Sequence, residues 1–227
     1  MFLLVPMSFS RPGSQTSGAI PWANTLLVIA NVIVFWLGGP WNQPVGPGTG
    51  PFSVLMYGFS HAGIWHLVGN MWFLLIFGHA ANRRLGNAAY LACYLGCIVA
   101  IGIFARIFIG APLIGASGGI SAVIVIALLL IPSAVLELGY FVLFPLSLLV
   151  GLLSRPKEPV HWFIRWDRFS IGALWCLLLV PLMEIWSLFW TGWNWTNLGH
   201  LIGMLCGVVA VLLLPTRISM RRPVGVA

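Results

Sequence analysis

Long apolar runs, separated by short segments that contain glycine, proline or arginine, make up most of this chain of 227 residues. Since about 17–25 apolar residues are needed for a helix to cross a bilayer, six of the runs are interpreted as membrane spans. They lie near 22–37, 65–77 with its flanks, 87–109, 114–133, 171–190 and 198–214. The pattern predicts an all-α polytopic membrane protein with a bundle of six transmembrane helices.

A seventh apolar run, 138–153, is ambiguous because it is short and contains Pro145. Counting this run as a membrane span would reverse the orientation of every segment that follows it. We therefore expect it to form an interfacial or re-entrant helix that does not add to the six spans.

The composition supports a membrane location. Hydrophobic residues make up 60% of the chain and charged residues only 7%, whereas about a quarter of the residues of a soluble domain are charged. So few charged side chains could not cover a soluble fold, which excludes a cytosolic globule, a disordered chain and a disulfide-stapled secreted scaffold. The four cysteines lie inside apolar runs and are interpreted as packing residues, so we expect no metal and no cofactor.

The basic residues predict an orientation. The net charge is +7, but the arginines lie between apolar runs, which favours membrane orientation over nucleic-acid binding. In a six-span topology ten of the eleven basic residues fall on one side, which is then cytoplasmic and holds both termini. These ten are Arg11, Arg83, Arg84, Arg155, Lys157, Arg165, Arg168, Arg217, Arg221 and Arg222. We divide the chain into a cytoplasmic N-terminal segment (1–19), a membrane domain (20–215) and a basic cytoplasmic tail (216–227).

Polar residues inside apolar runs are candidates for function, because lipid offers them no partners. The first cluster lies in the second span, where His66 and Asn70 are four residues apart and share a helical face, and His61 lies at the edge of the preceding loop. The alternative interpretation is a buried histidine–asparagine pair that bonds a neighbouring helix.

The second cluster opens the fourth span. Gly115 and Gly118 flank Ser117, so the chain can turn sharply and bring backbone N–H groups close to a reacting carbonyl. Alternatively, these small residues form a packing face of the kind that is common in transmembrane helices.

The third cluster opens the sixth span. His200, Gly203 and Gly207 share a helical face, and the glycines allow another helix to approach closely. The alternative here is a tightly packed helix with a structural histidine. In the six-span topology Ser117, His200, His66 and Asn70 all lie at a similar depth in the outer half of the membrane, as a nucleophile, a base and oxyanion donors would.

These motifs, H-x4-H-x3-N at 61–70, G-x-S-G at 115–118 and G-H-x-x-G-x-x-x-G at 199–207, resemble those of the rhomboid family of intramembrane serine proteases. The resemblance implies that Ser117 is the nucleophile and His200 the general base. It also implies an oxyanion hole of His66, Asn70 and backbone N–H groups around Gly115 and Gly118. Since all four acidic residues are assigned positions away from His200, we expect a Ser–His dyad rather than a triad. The acidic residues are Glu137, Glu158, Asp167 and Glu184.

The expected function is therefore hydrolysis of peptide bonds in or near the transmembrane segments of other proteins. His61 would line a water-filled cavity that opens to the outer side of the membrane. We expect the protein to be a multi-pass protein of a bacterial inner membrane. The expected partners are a transmembrane substrate and the lipid bilayer, with no nucleic acid. Two alternatives remain at this point: a rhomboid-like pseudoprotease that binds transmembrane helices without cleavage, and a transporter or subunit of a membrane complex.

Overall fold

The computed structural model describes residues 2–11, 20–154, 160, 163–192 and 194–214. The basic tail 216–227, residues 1 and 12–19 of the N-terminal segment and the basic residues Arg155 and Lys157 lie outside this part of the chain. The helices are α1 (Trp22–Leu37), α2 (Ser53–Met56), α3 (Ile64–Phe73), α4 (His79–Leu85), α5 (Asn87–Phe108), α6 (Ser117–Leu130), α7 (Leu146–Ser154), α8 (Ala173–Thr191) and α9 (Trp195–Leu213).

The second predicted span forms one continuous helix, although a segment in its middle is π-helical. A π-helical segment, Leu74–Gly78, joins α3 to α4, so that Ile64–Leu85 forms a helix of 22 residues. Gly86 then closes the helix with a φ of 83°, a conformation that glycine adopts without steric cost, and α5 begins at the next residue.

In the part of the chain that the structure describes, four helices are long and apolar enough to cross a membrane: Ile64–Leu85, Asn87–Phe108, Ala173–Trp190 and Trp195–Leu213. The first and fourth predicted spans are apolar helices of 16 and 14 residues, α1 and α6. The protein is therefore a polytopic helical membrane protein. Twelve of the fourteen residues of α6 are buried, which makes this short helix the centre of the bundle.

The closest helix–helix approach is between α6 and α9. A Cβ atom on Gly203 would meet the backbone of Gly118, at 2.9 Å from its carbonyl carbon, and one on Gly207 would lie 3.0 Å from the Cα of Ala122. The two helices therefore touch backbone to backbone and run in the same direction, which glycine permits because it has no side chain. The predicted packing role of Gly203 and Gly207 agrees with this contact.

The prediction of an all-α protein is wrong at one end of the bundle, where an antiparallel sheet lies in the order β1–β2–β3. Its strands are β1 (Phe2–Ser10), β2 (Val135–Leu143) and β3 (Ile164–Gly172). The ambiguous run 138–153 is thus a strand that ends before Phe144 and Pro145, followed by the short helix α7, and not one interfacial helix. The cause is long-range: β2 pairs with β1, a partner about 129 residues away, as at Ser8 and Glu137.

A network of buried hydrogen bonds connects α1 to its neighbouring helices at the sheet end of the bundle. Asn24 in α1 donates from its side-chain nitrogen to the Leu74 carbonyl at 2.9 Å, and its side-chain oxygen accepts a hydrogen bond from the Tyr90 hydroxyl. Its backbone N–H donates to the Asn82 side chain at 3.0 Å, and Asn82 in turn donates to Asn87. Buried polar groups that satisfy one another fix the register of α1 against α4 and α5.

We predict that Gly203→Ala destabilises the protein by about 1–3 kcal/mol, because the added methyl group meets backbone atoms of α6 that cannot rotate away. The matched control is Gly96→Ala in α5, where a Cβ has no neighbour within 4 Å and alanine favours the helix. Thermal unfolding of both variants in detergent measures the difference. Equal melting temperatures for the two variants would contradict the backbone contact.

Candidate functional site

The loop before Ser117 is held by backbone hydrogen bonds to the other loops at that end of the bundle. The N–H of Gly115 donates to the carbonyl of Tyr57 at 3.0 Å, while Val45 and Leu113 exchange two backbone bonds of 2.7–2.8 Å. These contacts fix where the chain turns into α6. Ser117 is then the first residue of that helix.

The Gly115 backbone lies directly against the second-span cluster. Its φ is 120°, and a Cβ atom there would be 2.7 Å from Cε1 of His66, 2.8 Å from its Nε2 and 3.6 Å from the Asn70 side-chain nitrogen. As their spacing predicts, His66 and Asn70 face the same way, and both reach the loop that leads to Ser117. Glycine is required at 115 both for its φ and for the room that His66 occupies.

The start of α6 presents backbone donors to the same place. No side chain caps this helix at Ala116, and the first N–H groups of any helix lack intrahelical partners. One turn later, the Ser121 hydroxyl donates to the Ser117 carbonyl at 2.9 Å, away from these donors. A partial positive charge therefore faces the site from the N-terminus of α6.

Ser117 and His200 line the same small cavity, together with Gly115, Gly118, Tyr57 and Gly199. The cavity has a volume of about 20 Å³, which is room for one water molecule. The Nε2 atom of His200 is buried and has no hydrogen-bond partner among the described residues. The helices α6 and α9 thus place Ser117 and the unbonded Nε2 of His200 at one cavity, at the same end of the bundle.

The prediction that no carboxylate lies near His200 is wrong. Oε1 of Glu184 in α8 lies 3.1 Å from Nδ1 of His200, within hydrogen-bonding distance. The other oxygen of Glu184 accepts a bond of 2.7 Å from the Asn197 side chain. The hairpin of α8 and α9 places the two residues opposite each other although they are 16 positions apart in sequence. A signal for this contact was present, since Glu184 is the single acidic residue inside a predicted span.

His61 lies behind His66 and is almost fully buried, with 1% of its surface exposed. The two rings are 5.2 Å apart and nearly perpendicular. Burial, with a smaller contribution from His66, lowers the pKa of His61 to about 4, so its ring is neutral at physiological pH. The Asn42 side chain holds this residue from the first loop, since it accepts from the His61 N–H at 2.8 Å and donates to its carbonyl at 3.0 Å.

Two further buried nitrogens in the described chain have no hydrogen-bond partner, Nε2 of His61 and the side-chain nitrogen of Asn70. Buried polar atoms without partners are rare in proteins and call for an explanation. The Asn70 nitrogen lies next to Gly115, which lines the cavity of Ser117 and His200, whereas His61 lies farther away, behind His66. The side-chain oxygens of Asn31 in α1 and Tyr94 in α5 also lack partners in the described chain.

A family model described as Rhomboid domain matches residues 49–155. This match covers slightly less than half of the chain and supports the resemblance to the rhomboid family. The match covers His61, His66, Asn70 and Ser117, whereas His200 and its partner Glu184 lie beyond it. No curated protein matches the chain.

The region that matches the model ends before α8 and α9, and α9 carries the histidine of the cavity. Within the described residues no group of three or more His, Cys, Asp or Glu side chains is arranged to hold a metal ion. The cavity is lined by a hydroxyl and an imidazole, a carboxylate contacts that imidazole from its other side, and the start of α6 offers backbone N–H donors.

Proposed function

We propose that this rhomboid protein is an intramembrane serine protease that cleaves peptide bonds in or near transmembrane segments of other proteins. The observation that carries the proposal is the cavity shared by Ser117 and His200, into which the free Nε2 of the histidine can direct its lone pair. Buried polar atoms in proteins nearly always have a hydrogen-bond partner, so a free ring nitrogen beside a serine in one cavity calls for an explanation.

The proposed reaction begins when the Ser117 oxygen attacks the scissile carbonyl and His200 Nε2 takes its proton. The tetrahedral intermediate collapses, the C–N bond breaks, and His200 returns the proton to the leaving amine. A water molecule then attacks the acyl-enzyme, again giving a proton to Nε2, and the serine leaves with that proton. The cavity of about 20 Å³ has room for one such water beside Ser117.

The developing negative charge on the carbonyl oxygen needs hydrogen-bond donors. His66 and Asn70, which lie against Gly115, and the backbone N–H of Ser117 are proposed as these donors, with Gly115 and Gly118 leaving space for the oxygen. The buried Asn70 nitrogen has no hydrogen-bond partner among the described residues, so it remains available to donate to the substrate oxygen. His61 is proposed to line the wall behind His66.

The proposed partners are a transmembrane substrate and the lipid around the bundle. α8 is the most exposed of the four long helices, with Trp186 and Trp190 stacked 6.0 Å apart at its end. Tryptophans at this position are typical of an aromatic belt at the membrane interface, and the same exposed side of α8 is open to an approaching helix.

The proposed orientation puts the sheet and both termini in the cytoplasm of a bacterium and opens the cavity to the outer face of the inner membrane. The supporting feature is the clustering of basic residues at the sheet end, such as Arg83, Arg165 and Arg168. We expect a reporter inserted at Gly48 to read as periplasmic and one inserted at Gly86 to read as cytoplasmic. The opposite pair of readings would overturn this orientation.

For the dyad, Ser117→Ala and His200→Ala are each expected to abolish cleavage of a transmembrane substrate, and the double variant to lose little more, because the two groups act as one unit. Turnover in detergent and in proteoliposomes measures this. Ser121→Ala, one turn along the same helix, and His79→Ala, at the opposite end of the bundle, are the matched controls and should retain most activity. Cleavage by Ser117→Ala near the wild-type rate, or no cleavage by the wild type, would overturn the proposed protease.

For the oxyanion donors, Asn70→Ala should lower kcat by about 10²–10³-fold and leave KM nearly unchanged, because the donor matters most once charge develops on the carbonyl oxygen. The melting temperature should change little, since the Asn70 nitrogen makes no hydrogen bond to the described residues that could be lost. A folded, fully active Asn70→Ala variant would remove Asn70 from the oxyanion site. A large loss of stability with normal kcat would instead identify a packing amide.

A further inference from the structure

The two ring nitrogens of His200 have different surroundings. Nε2 lies buried beside the cavity of Ser117, whereas Nδ1 is 3.1 Å from Oε1 of Glu184 in α8. Both side chains of this pair are about one-fifth exposed (22% each), so water has limited access to the contact. A carboxylate in this position has no counterpart in a Ser–His dyad.

The carboxylate is itself held in place. Asn197 donates to Oε2 of Glu184 at 2.7 Å, and the Asn197 side chain is 8% exposed. Asn197 and His200 are three residues apart on α9, so they project from the same face toward α8. The start of α9 is fixed by Asn194, whose side chain accepts from the N–H of Thr196 at 2.9 Å. Each oxygen of Glu184 therefore has a defined partner on one rigid helix.

A neutral histidine carries one N–H, and the hydrogen bond at one nitrogen decides which form is present. An ionised carboxylate can only accept, so its contact with Nδ1 favours the form with the proton on Nδ1. Nε2 is then left as the proton acceptor on the side of Ser117. The same carboxylate stabilises the imidazolium that forms when Nε2 takes a proton.

We propose that Glu184 is a positioning residue for His200, so that the unit of this protein is Ser117–His200–Glu184, with Asn197 holding the carboxylate. This inference rests on the proposed protease function and goes beyond a two-residue mechanism. In each step the proton moves between the Ser117 oxygen or the attacking water, Nε2 and the leaving group. The Nδ1 proton stays on His200, and Glu184 stays ionised throughout.

The test compares Glu184→Gln with Glu137→Gln. Both replace a carboxylate by the isosteric amide, but Glu137 lies in the sheet, where it accepts from Ser8 at 3.0 Å. Glu184→Gln should lower kcat by about 10²–10⁴-fold, as expected for loss of the correct histidine form, with KM changed by less than about threefold. Asn197→Ala should give a smaller loss of kcat, and Glu137→Gln should behave as wild type. A Glu184→Gln variant with wild-type kcat would overturn the assignment.

A second measurement on the wild-type protein keeps the test independent of folding in the variants and of activity. ¹⁵N-labelled histidine signals, with His200 identified by their loss in His200→Ala, report which ring nitrogen carries the proton. We expect the proton on Nδ1, and a proton on Nε2 would overturn the inference. If the wild type does not cleave although Nδ1 carries the proton, both the proposed protease function and the catalytic role of Glu184 are overturned. If the wild type cleaves and the Glu184→Gln variant is equally active, only the role of Glu184 is overturned.

Discussion

The backbone contact between α6 and α9 is the constraint on which the candidate site depends. Because Gly203 and Gly207 have no side chains, α9 lies against Gly118 and Ala122 and runs parallel to α6. Both helices then begin at the same end of the bundle, with Ser117 at the first residue of one and His200 in the second turn of the other. Any side chain at this contact would separate the helices and open the cavity between the two residues.

Buried polar groups lie at both ends of an otherwise apolar bundle, and the two ends differ in how far these groups are satisfied by hydrogen bonds. At the sheet end, the amides around Asn24 and the Tyr90 hydroxyl satisfy one another. At the cavity end, nitrogens of His61, Asn70 and His200 remain without partners in the described chain. Unsatisfied groups reduce stability, so free nitrogens of His200 and Asn70 at and next to the cavity are the pattern expected where a protein keeps donors and acceptors for a substrate.

Much of the bundle could be predicted from the sequence, because apolar runs and i, i+4 spacing are local signals. The shared face of His66 and Asn70 and the close approach at Gly203 follow from spacing alone. The sheet could not be predicted in this way, since β2 is as apolar as a span and its strand character depends on pairing with two strands that are distant in sequence, β1 at the start of the chain and β3 after α7. The contact of Glu184 with His200 was missed because it depends on how two helices face each other across a hairpin.

The most direct test of a reactive Ser117 is labelling by a fluorophosphonate probe, which reacts with serines that an adjacent base has activated. The purified protein in detergent is treated with the probe, and the modified peptide is identified by mass spectrometry. The account predicts a single labelled site at Ser117, with labelling lost when His200 is replaced by alanine. Absence of labelling at Ser117 in the folded wild-type protein, or equal labelling without His200, would contradict it.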